Sequence, residues 1–139
     1  MKMRILEHLI SPKNCGLLAN PDGVGIESEN PWMITIIIAI EVDNGNIKKI
    51  GFKTKGCATS IASASALTEL VQGKSIEEAI SISVEEVSGA LGKIPTEKLH
   101  CCRLARQALH RAIDDYARKN SSQFSALTTK STLPGEAFQ

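Results

Sequence analysis

The pattern of apolar and polar positions changes period along the chain, and the changes mark out its elements. Near the N-terminus Ile5, Leu6, Leu9 and Ile10 form a short helical stripe, which Ser11-Pro12 ends because a residue before proline is pushed out of the α region. Residues 13–31 are rich in Gly, Asn, Pro and Asp and predict a loop with one short edge strand near Gly23 to Glu27. Trp32 to Val42 is dense in β-branched residues and predicts a strand buried on at least one face. Asp43-Asn44-Gly45 predicts a hairpin, since Asn and Gly tolerate the positive φ of a tight turn. The return strand, Asn46 to Lys55, carries Ile47, Ile50 and Phe52; its alternation slips between 47 and 50, which predicts a bulge near Gly51.

After Gly56 the period becomes helical. Ala58 to Gln72 is rich in small residues, so this helix can lie close on a sheet, and Gly73 is a natural stop. Ser75-Ile-Glu-Glu78 and Ser83-Val-Glu-Glu86 are capping boxes, each opening a short helix. Pro95-Thr96 opens the last helix, expected to run to about Lys119 with Leu104, Ala105, Ala108, Leu109, Ala112, Ile113 and Tyr116 on its apolar face. The Ser/Thr-rich residues 120–139 are expected to form a flexible tail beyond a domain of residues 1–119. A short antiparallel sheet of about three strands followed by helices is an α+β fold.

Composition narrows the function. The chain has 139 residues, enough for one domain, and its net charge of +1 is spread along the sequence with only one Trp, one Tyr and three Phe. A nucleic-acid partner would call for clustered Lys and Arg or an aromatic platform, so none is expected. The most apolar run, Trp32 to Ile40, is too short to span a bilayer as a helix, and the N-terminus lacks a signal-peptide stretch. No membrane association and a cytoplasmic location are therefore expected, where the four cysteines (Cys15, Cys57, Cys101, Cys102) stay reduced.

Cys57 falls where a strand leaves through Gly56 and a helix begins, and the N–H groups and dipole there favour a thiolate. Cys101, preceded by His100, lies in the first turns of the last helix in what reads as a similar setting. The competing reading makes both thiols small core fillers. His and Cys side by side suit zinc or an iron–sulfur cluster. His8 and His110 read as surface residues, and Cys15 as a partly exposed loop thiol. Gly23-Val-Gly25 is too short for a nucleotide fingerprint, Asp114-Asp115 reads as a solvated face, and Ser60, Ser63 and Ser65 lack a His and acid signature for a triad.

Phe52-Lys-Thr-Lys-Gly-Cys-Ala-Thr-Ser-Ile-Ala-Ser-Ala-Ser65 resembles the F-K-T-x-G-C-G-x-x-I-A-S-S-S signature of the IscU/NifU N-terminal family of iron–sulfur cluster assembly scaffolds. Leu99-His-Cys-Cys-Arg-Leu-Ala105, Gly73-Lys-Ser-Ile-Glu-Glu-Ala79, Pro12-Lys-Asn-Cys-Gly16 and Asn20-Pro-Asp-Gly-Val-Gly25 resemble further family segments in the same order. The resemblance implies a non-enzymatic protein that binds a transient [2Fe-2S] cluster, or zinc, and transfers it. Its partners would be a cysteine desulfurase and apo acceptor proteins. By the same resemblance Cys57 and Cys101 match two ligand cysteines and His100 the ligand histidine; Cys102, which stands where the family has a serine, is a candidate fourth donor.

The chain also departs from that pattern. Counting back from the hairpin, the family's first cysteine falls on Trp32 and its aspartate on Ile34, neither of which can coordinate iron; a shift of one residue gives Met33, a weak ligand. Ala58 replaces a glycine after Cys57, and Ile94-Pro-Thr-Glu-Lys98 departs from the chaperone-recognition segment, so a dedicated chaperone is not expected. Two cluster-free roles therefore stand beside the scaffold: a sulfur carrier with Cys101 (or Cys102) as persulfide acceptor, and a docking or regulatory partner of a desulfurase.

Overall fold

The computed structural model of the chain describes residues 8, 12–29, 33–92 and 94–124. Three strands, β1 (Gly23–Glu29), β2 (Ile34–Asp43) and β3 (Asn46–Lys55), form an antiparallel sheet in the order β1-β2-β3. Asn44 and Gly45 both take positive φ (54° and 78°), the conformation a two-residue hairpin needs to match strand twist. The α+β fold read from the pattern is the one observed.

The expected bulge is displaced. Glu41 pairs with Lys49 and Val42 with Ile47, which leaves Lys48 as the extra residue. Gly51 serves another purpose: a Cβ there would collide with the Gly16 carbonyl oxygen. The 14–16 segment runs alongside β3, with Gly16 N–H donating to the Phe52 carbonyl (2.8 Å) and Phe52 N–H to that of Asn14 (3.1 Å). It thereby covers the open edge of the sheet there.

Four α-helices follow: α1 (Ala58–Val71), α2 (Ile76–Ile80), α3 (Val84–Ala90) and, after a 3-10 turn at Thr96–Lys98, α4 (Leu99–Phe124). Both capping boxes form, with Ser75 and Ser83 accepting from Glu78 N–H and Glu86 N–H while each glutamate accepts from its serine's N–H. α4 runs five residues past its expected end; residues 125–139, the rest of the expected tail, lie outside the described residues, as do the stripe residues Ile5, Leu6, Leu9 and Ile10.

One sheet face packs against α1 and α4, burying Ile34, Ile36, Ile38, Ile40, Ile50 and Phe52 among Leu67, Val71, Leu104, Ala108 and Leu109. α4 lies almost on the backbone of β1, because Gly23 and Gly25 leave no side chain between them. A Cβ at Gly25 would collide with the Ala108 carbonyl oxygen and Ala112 nitrogen, and one at Gly23 with the Ala112 carbonyl oxygen.

Two surface assignments are corrected. His8 is buried: its Nδ1 stands 2.6 Å from Ser65 Oγ, and its Nε2 3.6 Å from a Glu69 carboxylate oxygen. Ser65 is fully buried and also accepts the Lys13 N–H (2.8 Å), so this Ser-His-Glu grouping holds His8 and Lys13 on α1. The helix period could not show it, since His8 and Ser65 meet across 57 residues. Asp115 likewise is half-buried, accepting the Val24 N–H (2.9 Å) and pairing with Lys119 (3.2 Å). It ties α4 to β1 where a solvated face was expected.

Candidate metal and sulfur site

Cys57 is the residue before α1, and the chain reaches it from β3 through Gly56. Gly56 has φ +149°, and a Cβ there would press on Ile34 and on Ser60 Oγ. The turn is pinned from the helix side, where Ser60 N–H (3.0 Å) and Ser60 O–H (2.6 Å) both donate to the Cys57 carbonyl. α4 brings the second thiol from the opposite direction. Cys57 Sγ and Cys101 Sγ lie 3.7 Å apart, and His100 Nε2 is 3.7 Å from Cys101 Sγ.

The imidazole is oriented by its other nitrogen. Nδ1 sits 3.0 Å from the Glu97 carbonyl oxygen, which can only accept, so Nδ1–H donates there and Nε2 is the nitrogen that faces Cys101. Glu97 belongs to the 3-10 turn, so the Ile94–Lys98 segment that departs from the family pattern sets the tautomer of His100 here.

These distances can be compared with a metal centre. A tetrahedral ion with bonds to sulfur of about 2.3 Å separates two sulfurs by about 3.8 Å, and a sulfur from an imidazole nitrogen by slightly less. Both observed separations fit such edges. The donors form a chain rather than a closed set. Among the described residues no three or more His, Cys, Asp or Glu side chains are gathered closely enough, as they stand, to hold a metal ion.

The two thiols were expected to share one electrostatic setting, and they do not. Burial acts to raise Cys57, but the Ser60 N–H, the Cys101 thiol, the Thr59 N–H and the Lys98 charge outweigh it and leave the thiol below its ordinary value. The sulfur makes no close capping hydrogen bond, so the two N–H groups act on it as oriented dipoles. Cys101 is pushed up to about 12, first by burial and then by the neighbouring Cys57 charge. It is fully buried, whereas Cys57 is half-exposed. In the reduced pair Cys101 therefore keeps its proton and donates it toward Cys57.

Cys102 does not join them. Its Sγ lies 3.5 Å from Ser63 Oγ in the core, and burial raises its thiol against smaller opposing effects of Ser63 and Arg103. Adjacent helical positions point about 100° apart, which is why two neighbouring cysteines face different surroundings. Cys15 is exposed and its backbone bridges to Phe52. Ile34 is buried beside Gly56, while Trp32 lies outside the described residues. Met33 is exposed, with φ +57°.

Ser60 was not singled out for the role it has, holding the turn that presents Cys57. The period of β1 puts Gly23, Gly25, Glu27 and Glu29 on one face, and that face turns toward α4.

The three-stranded antiparallel sheet, with helices packed on one face, thus carries a Cys–Cys–His chain at the junction of β3 and α1. Residues 1–123 match the NifU-like N terminal domain, and the chain belongs to that family. It is 43% identical over 117 residues to the iron-sulfur cluster assembly scaffold protein IscU 1 of Archaeoglobus fulgidus, covering 84% of this chain and 76% of that protein. It is 37% identical over 119 residues to the scaffold protein IscU of Aquifex aeolicus, covering 84% and 75%. The crystal structure of the N-terminal part of a nitrogen-fixing NifU-like protein from Brucella abortus superposes with a TM-score of 0.71 at 19% identity, over 84% of this chain and 93% of that one, a likeness of fold. Among the described residues no helix is long and apolar enough to cross a membrane.

Proposed function

We propose that this chain is an iron–sulfur cluster assembly scaffold that receives iron and sulfur, holds a nascent [2Fe-2S] cluster at Cys57, Cys101 and His100, and releases it. The observation that carries the reading is that Cys101 Sγ stands at a tetrahedral-edge separation from both Cys57 Sγ and His100 Nε2. Membership of a family whose named relatives are assembly scaffolds supports it. The cluster is cargo, and the protein acts by binding and transfer rather than by turning over a substrate. Its sulfur donor would be a cysteine desulfurase, its clients apo iron–sulfur proteins, and its compartment the reducing cytoplasm. Zinc suits the same donors as an alternative occupant.

Sulfur carriage is a second reading, favoured by the asymmetry of the thiols. The half-exposed Cys57, held below its ordinary value, is the better acceptor, and Cys101, the residue expected for that role, is buried and protonated. The Cys57 thiolate would attack the outer sulfur of a donor persulfide, forming a new persulfide on Cys57 and expelling the donor thiolate.

Anaerobic incubation with ferrous iron and sulfide, followed by a visible spectrum and an iron count, tests the scaffold. Charge-transfer bands with retained iron, lost in Cys57→Ala and Cys101→Ala, are expected. A colourless protein holding no iron would overturn the scaffold reading and leave sulfur carriage.

A further inference from the structure

β1 ends at Glu29, and the Glu29–Ile34 pair is the last rung between β1 and β2. Ile34 in turn lies against Gly56, with its Cα 3.3 Å and its Cγ1 3.0 Å from where a Cβ on that glycine would sit. Gly56 is the residue before Cys57. Glu29 is thus one strand across from the side chain that closes over the Cys57 turn. It also lies on the α4 side of the sheet: Glu27, two residues earlier on the same face, pairs with Arg111 of α4. Contacts between β1 and α4 step back along the helix as β1 advances, from Tyr116 and Ala112 at Gly23 to Ala112 and Ala108 at Gly25. Extending that antiparallel run places Glu29 toward the N-terminal end of α4, where Cys101 is.

One oxygen of this carboxylate has no explanation within the fold. Glu29 Oε1 is buried from solvent with no hydrogen-bond partner, the sole side-chain oxygen or nitrogen in that condition among the described residues. A buried carboxylate oxygen without a donor is costly, and native structures keep one where something else binds it. Glu27, its neighbour on the face, is by contrast matched with Arg111.

We infer that Glu29 supplies an oxygen donor to the metal held at Cys57, Cys101 and His100, delivered from β1 because β2 offers only the apolar Ile34 at this level. The inference rests on the metal-binding reading above and deepens it. Two thiolates, one imidazole and one carboxylate fill four positions with donors suited to ferrous iron or zinc.

Zinc binding to the full chain is the test, measured by competition with a chromophoric chelator for wild type, Glu29→Gln and the control Glu27→Gln, with thermal unfolding of each apo protein. Glu29→Gln should weaken zinc about tenfold or more. It should also leave the apo protein as stable as wild type or raise its melting temperature, since the oxygen it replaces has no hydrogen-bond partner to lose. Glu27→Gln should leave zinc affinity unchanged. A merely structural Glu29 would lower apo stability and leave zinc affinity alone, overturning the inference. Unchanged affinity in Glu29→Gln, with metal still lost in Cys57→Ala, would overturn the carboxylate and keep the thiol site. Failure of wild type to bind zinc would overturn the metal-binding reading and this inference with it.

Discussion

The seam between β1 and α4 and the junction between β3 and α1 are built on opposite terms. At the seam, Gly23 and Gly25 let helix backbone rest on strand backbone, Asp115 closes one end through Val24 N–H, and Arg111–Glu27 ties the middle. No space is left for a methyl group. At the junction a left-handed glycine and a serine holding one carbonyl present a thiol that is half-exposed. The same helix serves both, with its middle and C-terminal half in the seam and its first turn at the thiols. The two regions divide the work: the close-packed seam fixes where α4 begins, and the junction sets Cys57 against the thiol that α4 carries there.

Substitutions should separate the two regions. Gly25→Val places a branched side chain against helix backbone, and we expect a loss of about 3 kcal/mol or more, or no folded protein, by urea unfolding. A loss under about 1 kcal/mol would mean that α4 slides freely and the seam is not rigid.

The next effect comes from pH. Below about 9 the Cys101 thiol is protonated in both the folded and unfolded chain, so its contribution is fully present. Between about 9 and about 12 the unfolded chain ionises while the folded one holds its proton, so stability falls as pH rises through that window. The fall attributable to Cys101 should be on the order of 2–4 kcal/mol and absent from Cys101→Ala, read as the difference in alkaline unfolding between the two proteins. Equal slopes would remove the asymmetry between the thiols.

Alkylation of the folded apo protein at neutral pH, followed by peptide mass spectrometry in a Cys15→Ser background, should modify Cys57 on the order of a hundredfold faster than Cys101. Comparable rates would show that the junction opens readily and exposes both. Ser60→Ala should have the smallest effect, about 1 kcal/mol by urea unfolding, because it removes one hydrogen bond to the Cys57 carbonyl.

Local signals accounted for what was legible in the sequence. Asn44-Gly45 needs positive φ wherever it occurs, both capping boxes close within four residues, and the small-residue run after Cys57 and the apolar stripe of α4 define their helices without outside help. The junction placed Cys57, and the family motifs paired it with His100 and Cys101. The bulge was misplaced because alternation reports a slipped register without naming the extra residue, and Gly51 had a reason of its own in the Gly16 carbonyl.

By itself, then, the sequence determined the elements, their order and which residues carry sulfur and imidazole, since each of these depends on neighbours within a few positions. Tertiary structure alone decided how those residues behave. The same first turn of α4 that seemed to activate Cys101 buries it beside a second thiol, and desolvation outweighs the helix terminus. His8 meets Ser65 and Glu29 stands opposite Ile34 only once the chain has closed on itself. Solvation and proximity depend on what packs alongside, and no periodicity along the chain encodes that.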